Sequence, residues 1–242
     1  MTNPQSTLQG QRVAILGGTS GIGLATARQA ADQGAEVIVV SSRQTSVDRA
    51  LASLPTSAAG WIVDLARADG VRVLFDDLGD IDHLVYTAAE PLALMPIDTL
   101  DVAEAREFFT LRYFSALSAV HVAAPHVRGS ITLTTGIAKD RPGSGWAVAA
   151  SICGAIEGLT KAVAVELAPI RVNAVSPGVV RSPLWSQMSE NDREQMYRDI
   201  GAQLPVGRVG EVADIAHAYL FCLTNPFVTG TVVTVDGGTI LV

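Results

Sequence analysis

Residues Arg12 to Gly23 read RVAILGGTSGIG, an apolar run that breaks into a glycine-rich loop and then opens a helix. Few features constrain a fold so tightly. The run is short, bounded and β-branched, which predicts a buried strand over Arg12–Leu16. Gly17 permits the tight turn, Gly21 lets backbone approach a ligand, and Gly23 allows close helix–strand packing. The helix that follows, with its pattern over Leu24–Gln33, stops at Gly34, and Glu36–Val40 forms a second apolar strand. Free N–H groups and partial positive charge at such a helix N-terminus suit a pyrophosphate. The bland alternative is an ordinary glycine turn in a βαβ unit, and the order strand, loop, helix, strand argues against it.

The alternation continues along all 242 residues. Further strands are expected at Trp61–Val63, His83–Tyr86, Ser130–Thr134, Arg171–Val175 and Thr231–Val235. The longest helices are expected over Val102–Val127, Gly145–Ala168 and Glu211–Leu223. Such alternation means an α/β chain, a parallel sheet covered by helices on both faces, with ligands at the carboxyl ends of the strands. Residues 1–10 read as a loose tail and 11–242 as one domain. The longest apolar runs are broken by Gly, Pro or charge, so no membrane span is expected. A net charge of −7 argues against nucleic-acid binding. The only cysteines, Cys153 and Cys222, suggest a reducing cytoplasm without a disulfide framework. No His, Cys or carboxylate cluster has metal spacing, so no metal is expected.

Three segments add to the glycine loop: EGLTKAVAVELAPIRVNAVSPGVVRSPLW at 157–185, PVGRVGEVADIA, and FVTGTVVTVDGG near the C-terminus. With them the chain, from Gln11 to Gly238, resembles the short-chain dehydrogenase/reductase superfamily. The resemblance implies a Rossmann-type doubly wound parallel sheet of about seven strands and one nicotinamide dinucleotide per subunit. It places Gly17, Gly21, Ile22 and Gly23 at the pyrophosphate, with Thr19 and Ser20 as hydroxyl donors. Asp64 and Leu65 match the family's adenine contact, and Ala88 falls in the loop after the fourth strand. Pro177, Gly178 and Val180 belong to the segment that cradles the nicotinamide carboxamide, and Ser182 stands where the family usually has Thr. The second strand ends in Val40-Ser41-Ser42-Arg43, with no acid until Asp48. A guanidinium beside hydroxyls suits a phosphate dianion, so Ser42 and Arg43 favour NADP(H), with NAD possible. Arg43 as a mere solvated charge is the alternative.

The family's chemistry uses an Asn-Ser-Tyr-Lys set, in which Tyr passes a proton to the substrate oxygen. This chain lacks it. The Tyr position falls on Ala149 or Val148 and the Lys position on Cys153 or Ile152, depending on a register uncertain by one. No tyrosine lies between Tyr113 and Tyr197, and the only lysines are Lys139 and Lys161. The family's Asn-Asn-Ala-Gly has become Tyr86-Thr87-Ala88-Ala89, its relay Asn maps to Arg112, and its Ser maps to Thr135 or Gly136. Loss of a general acid removes roughly 10²–10⁴-fold in rate, which an enone, quinone or iminium needs less than a plain ketone. Candidate substitutes are Tyr86 as an acid, Thr135 to orient substrate, and Arg112 to stabilise an oxyanion. Against these stand a packed aromatic, a plain strand residue, and a helix-face charge bonded to Glu107 or Asp140.

The expectation is therefore an NADP(H)-binding oxidoreductase with a non-standard site, reducing an activated C=C or C=O. The alternatives are a non-catalytic dinucleotide-binding sensor or partner subunit, and a lyase or isomerase on the same fold. Residues 181–205 are expected to close over the substrate. Leu184, Trp185, Met188 and Met196 hint at an apolar small molecule there. The apolar Phe227–Val242 resembles the part of the family that forms dimers and tetramers, so a homo-oligomer is expected.

Overall fold

The computed structural model describes residues 8–67 and 69–242. In chain order the strands are β1 (Arg12–Leu16), β2 (Glu36–Ser41), β3 (Ala59–Ile62), β4 (Ile81–Tyr86), β5 (Val127–Thr134), β6 (Arg171–Pro177), β7 (Val180–Arg181), β8 (Gly210–Glu211) and β9 (Val232–Val235). Seven of them make one sheet in the order β3-β2-β1-β4-β5-β6-β9, every neighbour parallel, while β7 and β8 pair as a small separate ribbon. The central strands are buried on both faces, which is why they read as unbroken apolar runs rather than alternating ones.

The helices are α1 (Gly21–Asp32), α2 (Gln44–Leu51), α3 (Gly70–Leu78), α4 (Val102–Phe109), α5 (Ser115–Ala123), α6 (Ala147–Glu166), α7 (Glu190–Gln203) and α8 (Val212–Thr224). Alternate residues of each strand point to opposite faces, and the core divides accordingly. On one side Leu16, Val40, Leu84, Ile131 and Ala174 meet Leu74 and Phe75 of α3, Ala119 of α5 and Ile156 of α6. On the other, Ile15, Val39, Val85 and Val175 meet Ala27 of α1 and Ile215, Tyr219 and Leu223 of α8. Strand order reverses between β1 and β4, and that opens the crevice at the carboxyl edge where α/β sheets bind ligands.

Three expectations need correction, and one helix is more apolar than expected. The stretch Val102–Val127 is not one helix. It is α4, a π-helical segment over Thr110–Phe114, and α5, after which β5 begins at Val127 rather than Ser130. The wide turn is closed by a bond from the Ser115 N–H to the Thr110 carbonyl. Of the expected tail, residues 1–7 lie outside the described residues, and the rest is held in place: Leu8 is buried and the Gly10 N–H bonds the Gly34 carbonyl at 2.9 Å. The third strand starts at Ala59, two residues before Trp61. Finally, α6 is 20 residues long with a mean hydropathy of 1.5 over an 18-residue window, long and apolar enough by those measures to cross a membrane. Here it packs Ile156, Thr160 and Val163 into the domain and carries Glu157 and Lys161 as an ion pair.

Candidate functional site

The glycine loop is built by close approach. Gly17 has φ +87°, and a Cβ there would lie 2.5 Å from the Ala88 nitrogen. At Gly23 a Cβ would lie 2.3 Å from the Gly17 carbonyl oxygen and 2.5 Å from the Thr87 hydroxyl. These glycines let the loop after β1 nest against the loop after β4, an arrangement secured by the Thr87 N–H donating to the Leu16 carbonyl at 2.8 Å. Ser20 is the N-cap of α1, yet its side chain makes no capping bond and the first turn holds no acid. Thr19 is buried beside it. The N–H groups of Gly21, Ile22 and Gly23 are therefore left without a capping side chain or a nearby acid in the first turn, a geometry that suits a pyrophosphate.

Ser42, Arg43 and Asp64 come together at the carboxyl ends of β2 and β3, which the Val63 N–H joins by donating to the Ser41 carbonyl at 2.9 Å. Ser42 and Arg43 are exposed, and Arg43 has no carboxylate partner among the described residues. The nearest following acid, Asp48, is engaged by the Gln44 amide at 2.7 Å. Asp64 is exposed and accepts from the Ala66 N–H at 3.0 Å, so it shapes a turn rather than capping α3, while Leu65 is buried in the core. Across the crevice, Gly178 lets the end of β6 approach the end of its neighbour β9 so closely that a Cβ would lie 2.7 Å from the Asp236 Cα. Val180 begins the ribbon with β8, and Ser182 lies beside Gly21, whose added Cβ would meet Pro183 at 3.2 Å. The segment expected to cover the substrate is fastened by Arg181, which donates to both Glu194 oxygens at 2.6 and 2.7 Å and lies 4.5 Å over the Tyr197 ring. Trp185 donates to the Val180 carbonyl at 3.0 Å.

The three substitute groups fare differently. Tyr86 is corrected: its hydroxyl donates at 2.6 Å to the Leu111 carbonyl inside the π-helical segment, it is buried, and burial drives its pKa up from the usual phenol value. It is a packed aromatic with a satisfied hydroxyl, not an available acid. Thr135 donates to the Cys153 carbonyl at 2.8 Å, which ties the end of β5 to α6 and leaves its oxygen able to accept. Cys153 is the α6 residue that faces this edge, since a Cβ on Gly136 would lie 3.3 Å from its Sγ, whereas Val148 and Ile152 turn to Met95 and Phe108. Burial raises the Cys153 thiol pKa, so it is no ready nucleophile. Lys139 bonds Asp140 at 2.6 Å and Glu157 at 2.9 Å.

Arg112 does reach the site, and its partner is one that sequence spacing did not suggest. Its guanidinium donates to the Glu90 carbonyl, stands 3.5 Å from the Glu90 carboxylate and lies 4.3 Å over the Phe108 ring. Neither Glu107 nor Asp140 is involved. Burial lowers the Arg112 pKa and raises that of Glu90. Glu90 is the functional candidate that the sequence concealed. It sits one residue beyond Ala88-Ala89, a lone acid in a Pro- and Leu-rich loop, and only a contact across 22 positions gives it a partner.

Known proteins match this architecture over its length. The family described as the SDR-like Rossmann domain matches residues 5–242. A short-chain dehydrogenase/reductase of Stachybotrys chlorohalonatus is 35% identical over 261 residues, covering 97% of this chain and 99% of that one. Among solved structures, a small-chain dehydrogenase in complex with NADPH aligns with TM-score 0.86 and 36% identity, covering 97% of this chain and 100% of that one. The MalC reductase/Diels-Alderase of Malbranchea aurantiaca aligns with TM-score 0.91 and 27% identity over 99% of this chain and 100% of that one. With its seven parallel strands, nested glycine loop and full-length matches, the chain belongs to the short-chain dehydrogenase/reductase family.

Proposed function

We propose that this family member is an NADP(H)-dependent reductase of a small, largely apolar molecule bearing an activated C=C or C=O bond. One observation carries the reading: both halves of the dinucleotide cradle are tightly packed, at Gly17–Gly23 and at Pro177–Gly178. A bare binding module needs the first half but not the second. The related structure bound to NADPH and the reductase named among the neighbours favour the same reading. When bound, the dinucleotide supplies a hydride. The protein's own part is to hold the pyrophosphate with Thr19, Ser20 and the N–H groups of Gly21, Ile22 and Gly23. Ser42 and Arg43 take the 2′-phosphate, and Asp64 and Leu65 border the adenine. Ala88, Pro177, Gly178, Val180 and Ser182 fix the nicotinamide end. Thr135 borders the substrate and helps to orient it, and Arg112 holds positive charge near the reacting atoms.

Residues 181–205 form the covering segment, folded on itself by the Arg181–Glu194 pair. The exposed apolar residues of α6 and its surroundings, including Val165 and Phe114, suit a second copy of the chain. Free Cys153 and the buried Cys222, whose thiol pKa burial pushes up to about 12, suit a reducing cytoplasm.

Titration with NADPH and NADH, followed by single-turnover oxidation of bound NADPH against enones, quinones, iminium ions and ketones, tests the reading. Tight NADPH binding with consumption by an activated acceptor is expected. Tight binding with no consumption by any of them overturns it in favour of a sensor.

A further inference from the structure

We propose that Glu90 is the catalytic acid of this site, giving its carboxyl proton to the substrate atom that reduction leaves negative, with Arg112 taking up the charge of the carboxylate that remains. The proposal rests on the reductase reading above and names the donor that reading lacks.

Position comes first. Glu90 lies in the loop after β4, four residues past its end at Tyr86 and two past Ala88, whose backbone nests against Gly17 in the dinucleotide cradle. The neighbouring Leu92 N–H bonds the Leu184 carbonyl at 3.0 Å, so the Glu90 loop and the covering segment meet. Between them lies a cavity of about 220 Å³ lined by Glu90, Met95, Phe108 and Gln187, with Glu104 and Glu107 at its rim. Glu90 thus lines a space large enough for part of a small molecule, bounded by the apolar Met95 and Phe108 as well as by Glu104, Glu107 and Gln187.

The pairing is the second observation. A salt bridge serving only stability would close its hydrogen bonds, because buried polar atoms left unpaired are costly. Here the Arg112 Nε and the Glu90 Oε2 stand 3.5 Å apart, and both are buried without a hydrogen-bond partner. The guanidinium is instead fixed by the Glu90 carbonyl and the Phe108 ring. A carboxyl held near a cation but not locked to it can release a proton and then settle as an anion. The charged groups facing Glu90 are Arg112 from the π-helical segment and Glu104 and Glu107 from α4. The hydroxyl of Tyr86 on β4 is already committed to Leu111, and the covering segment offers only the neutral Gln187. Burial raises the Glu90 pKa, which suits an acid that must carry its proton toward neutral pH.

The step balances. The substrate carbon gains the hydride, the substrate oxygen gains the Glu90 proton, and the dinucleotide is left oxidised. Glu90 becomes a carboxylate beside Arg112 and is reprotonated from water. An iminium ion needs no such proton, since a cation that takes hydride is already neutral.

The test compares wild type, E90Q and E90D with NADPH and two acceptors, an enone and an N-alkyl iminium ion. E90Q should keep its NADPH affinity and thermal stability, lose about 10²–10⁴-fold on the enone and remain near wild type on the iminium ion. E90D should recover part of the enone rate. The wild-type enone rate should fall as pH rises through the Glu90 titration, and the fall should vanish in E90Q. Without any dinucleotide, infrared difference spectra should show a carboxyl group titrating above the usual glutamate range, absent from E90Q. Enone reduction unchanged in E90Q overturns the proposal, and so does an equal loss on both acceptors. Wild type that binds NADPH but oxidises it with neither acceptor defeats the reductase reading itself, and the acid with it.

Discussion

At the end of β1 a single methyl group is too much, while on α6 the side chains at Ala149 and Cys153 are small and the wall stands. A Cβ at Gly17 or Gly23 would drive into backbone within 2.5 Å, so each position is dictated by its neighbours. Ala149 and Cys153, by contrast, are small side chains on a helix already anchored by Ile156, Thr160 and Val163. The fold specifies the nucleotide cradle through close backbone approach but leaves the α6 wall to be set by the identity of small side chains packed on an already anchored helix. The first cannot drift without loss of structure. The second can change its chemistry while the sheet stays as it was.

That contrast can be broken by experiment. Gly23→Ala should cost roughly 3 kcal/mol of stability and lower NADPH affinity on the order of a hundredfold. A stable variant with unchanged affinity would mean the cradle is as permissive as the α6 wall. Arg112→Met removes the guanidinium packed on Phe108 and bonded to the Glu90 carbonyl, so about 2 kcal/mol of stability should be lost, visible as a melting point lower by roughly 4–8 °C. NADPH affinity should not move, and Glu90→Leu added to Arg112→Met should restore part of the stability. A fall in affinity would join the two regions that packing keeps apart. Arg43→Ala sharpens the cradle side: NADPH binding should weaken about tenfold through loss of a charged hydrogen bond, while NADH binding is unchanged. Equal loss for both coenzymes would remove the phosphate contact. The smallest effect is expected for Tyr86→Phe, about 1 kcal/mol of stability and no change in acceptor reduction. A collapse in turnover would return Tyr86 to the list of acids.

The same division decides what could be read in advance. β1, β2, β4 and β6 were legible because strands buried on both faces write themselves as apolar runs, and the glycine loop because its steric demands leave one residue type. The division of Val102–Val127 was not legible, since α4, the π-helical segment and α5 share one apolar periodicity, with no Gly or Pro until Pro125. β5 began three residues early because Val127-Arg128-Gly129 carries little strand signal. Arg112 was legible as an oddity at the position of a family Asn, but its partner was not. Glu107 and Asp140 looked suitable by helical spacing and by family geometry, whereas Glu90 reaches it only through the loop after β4. Tyr86 misled because the carboxyl end of a strand says where a side chain starts and nothing about the carbonyl that captures it.

The widened turn at Thr110–Phe114 sets the direction of Arg112 by length rather than by composition. Each residue of an α-helix advances the side chains by about 100° around the axis. Dropping one residue from this segment would restore the narrower winding and swing the guanidinium away from Glu90, with every neighbouring side chain type intact. Insertions and deletions of one residue here, more than substitutions, are therefore the events that would carry a chain between this site and one of another design.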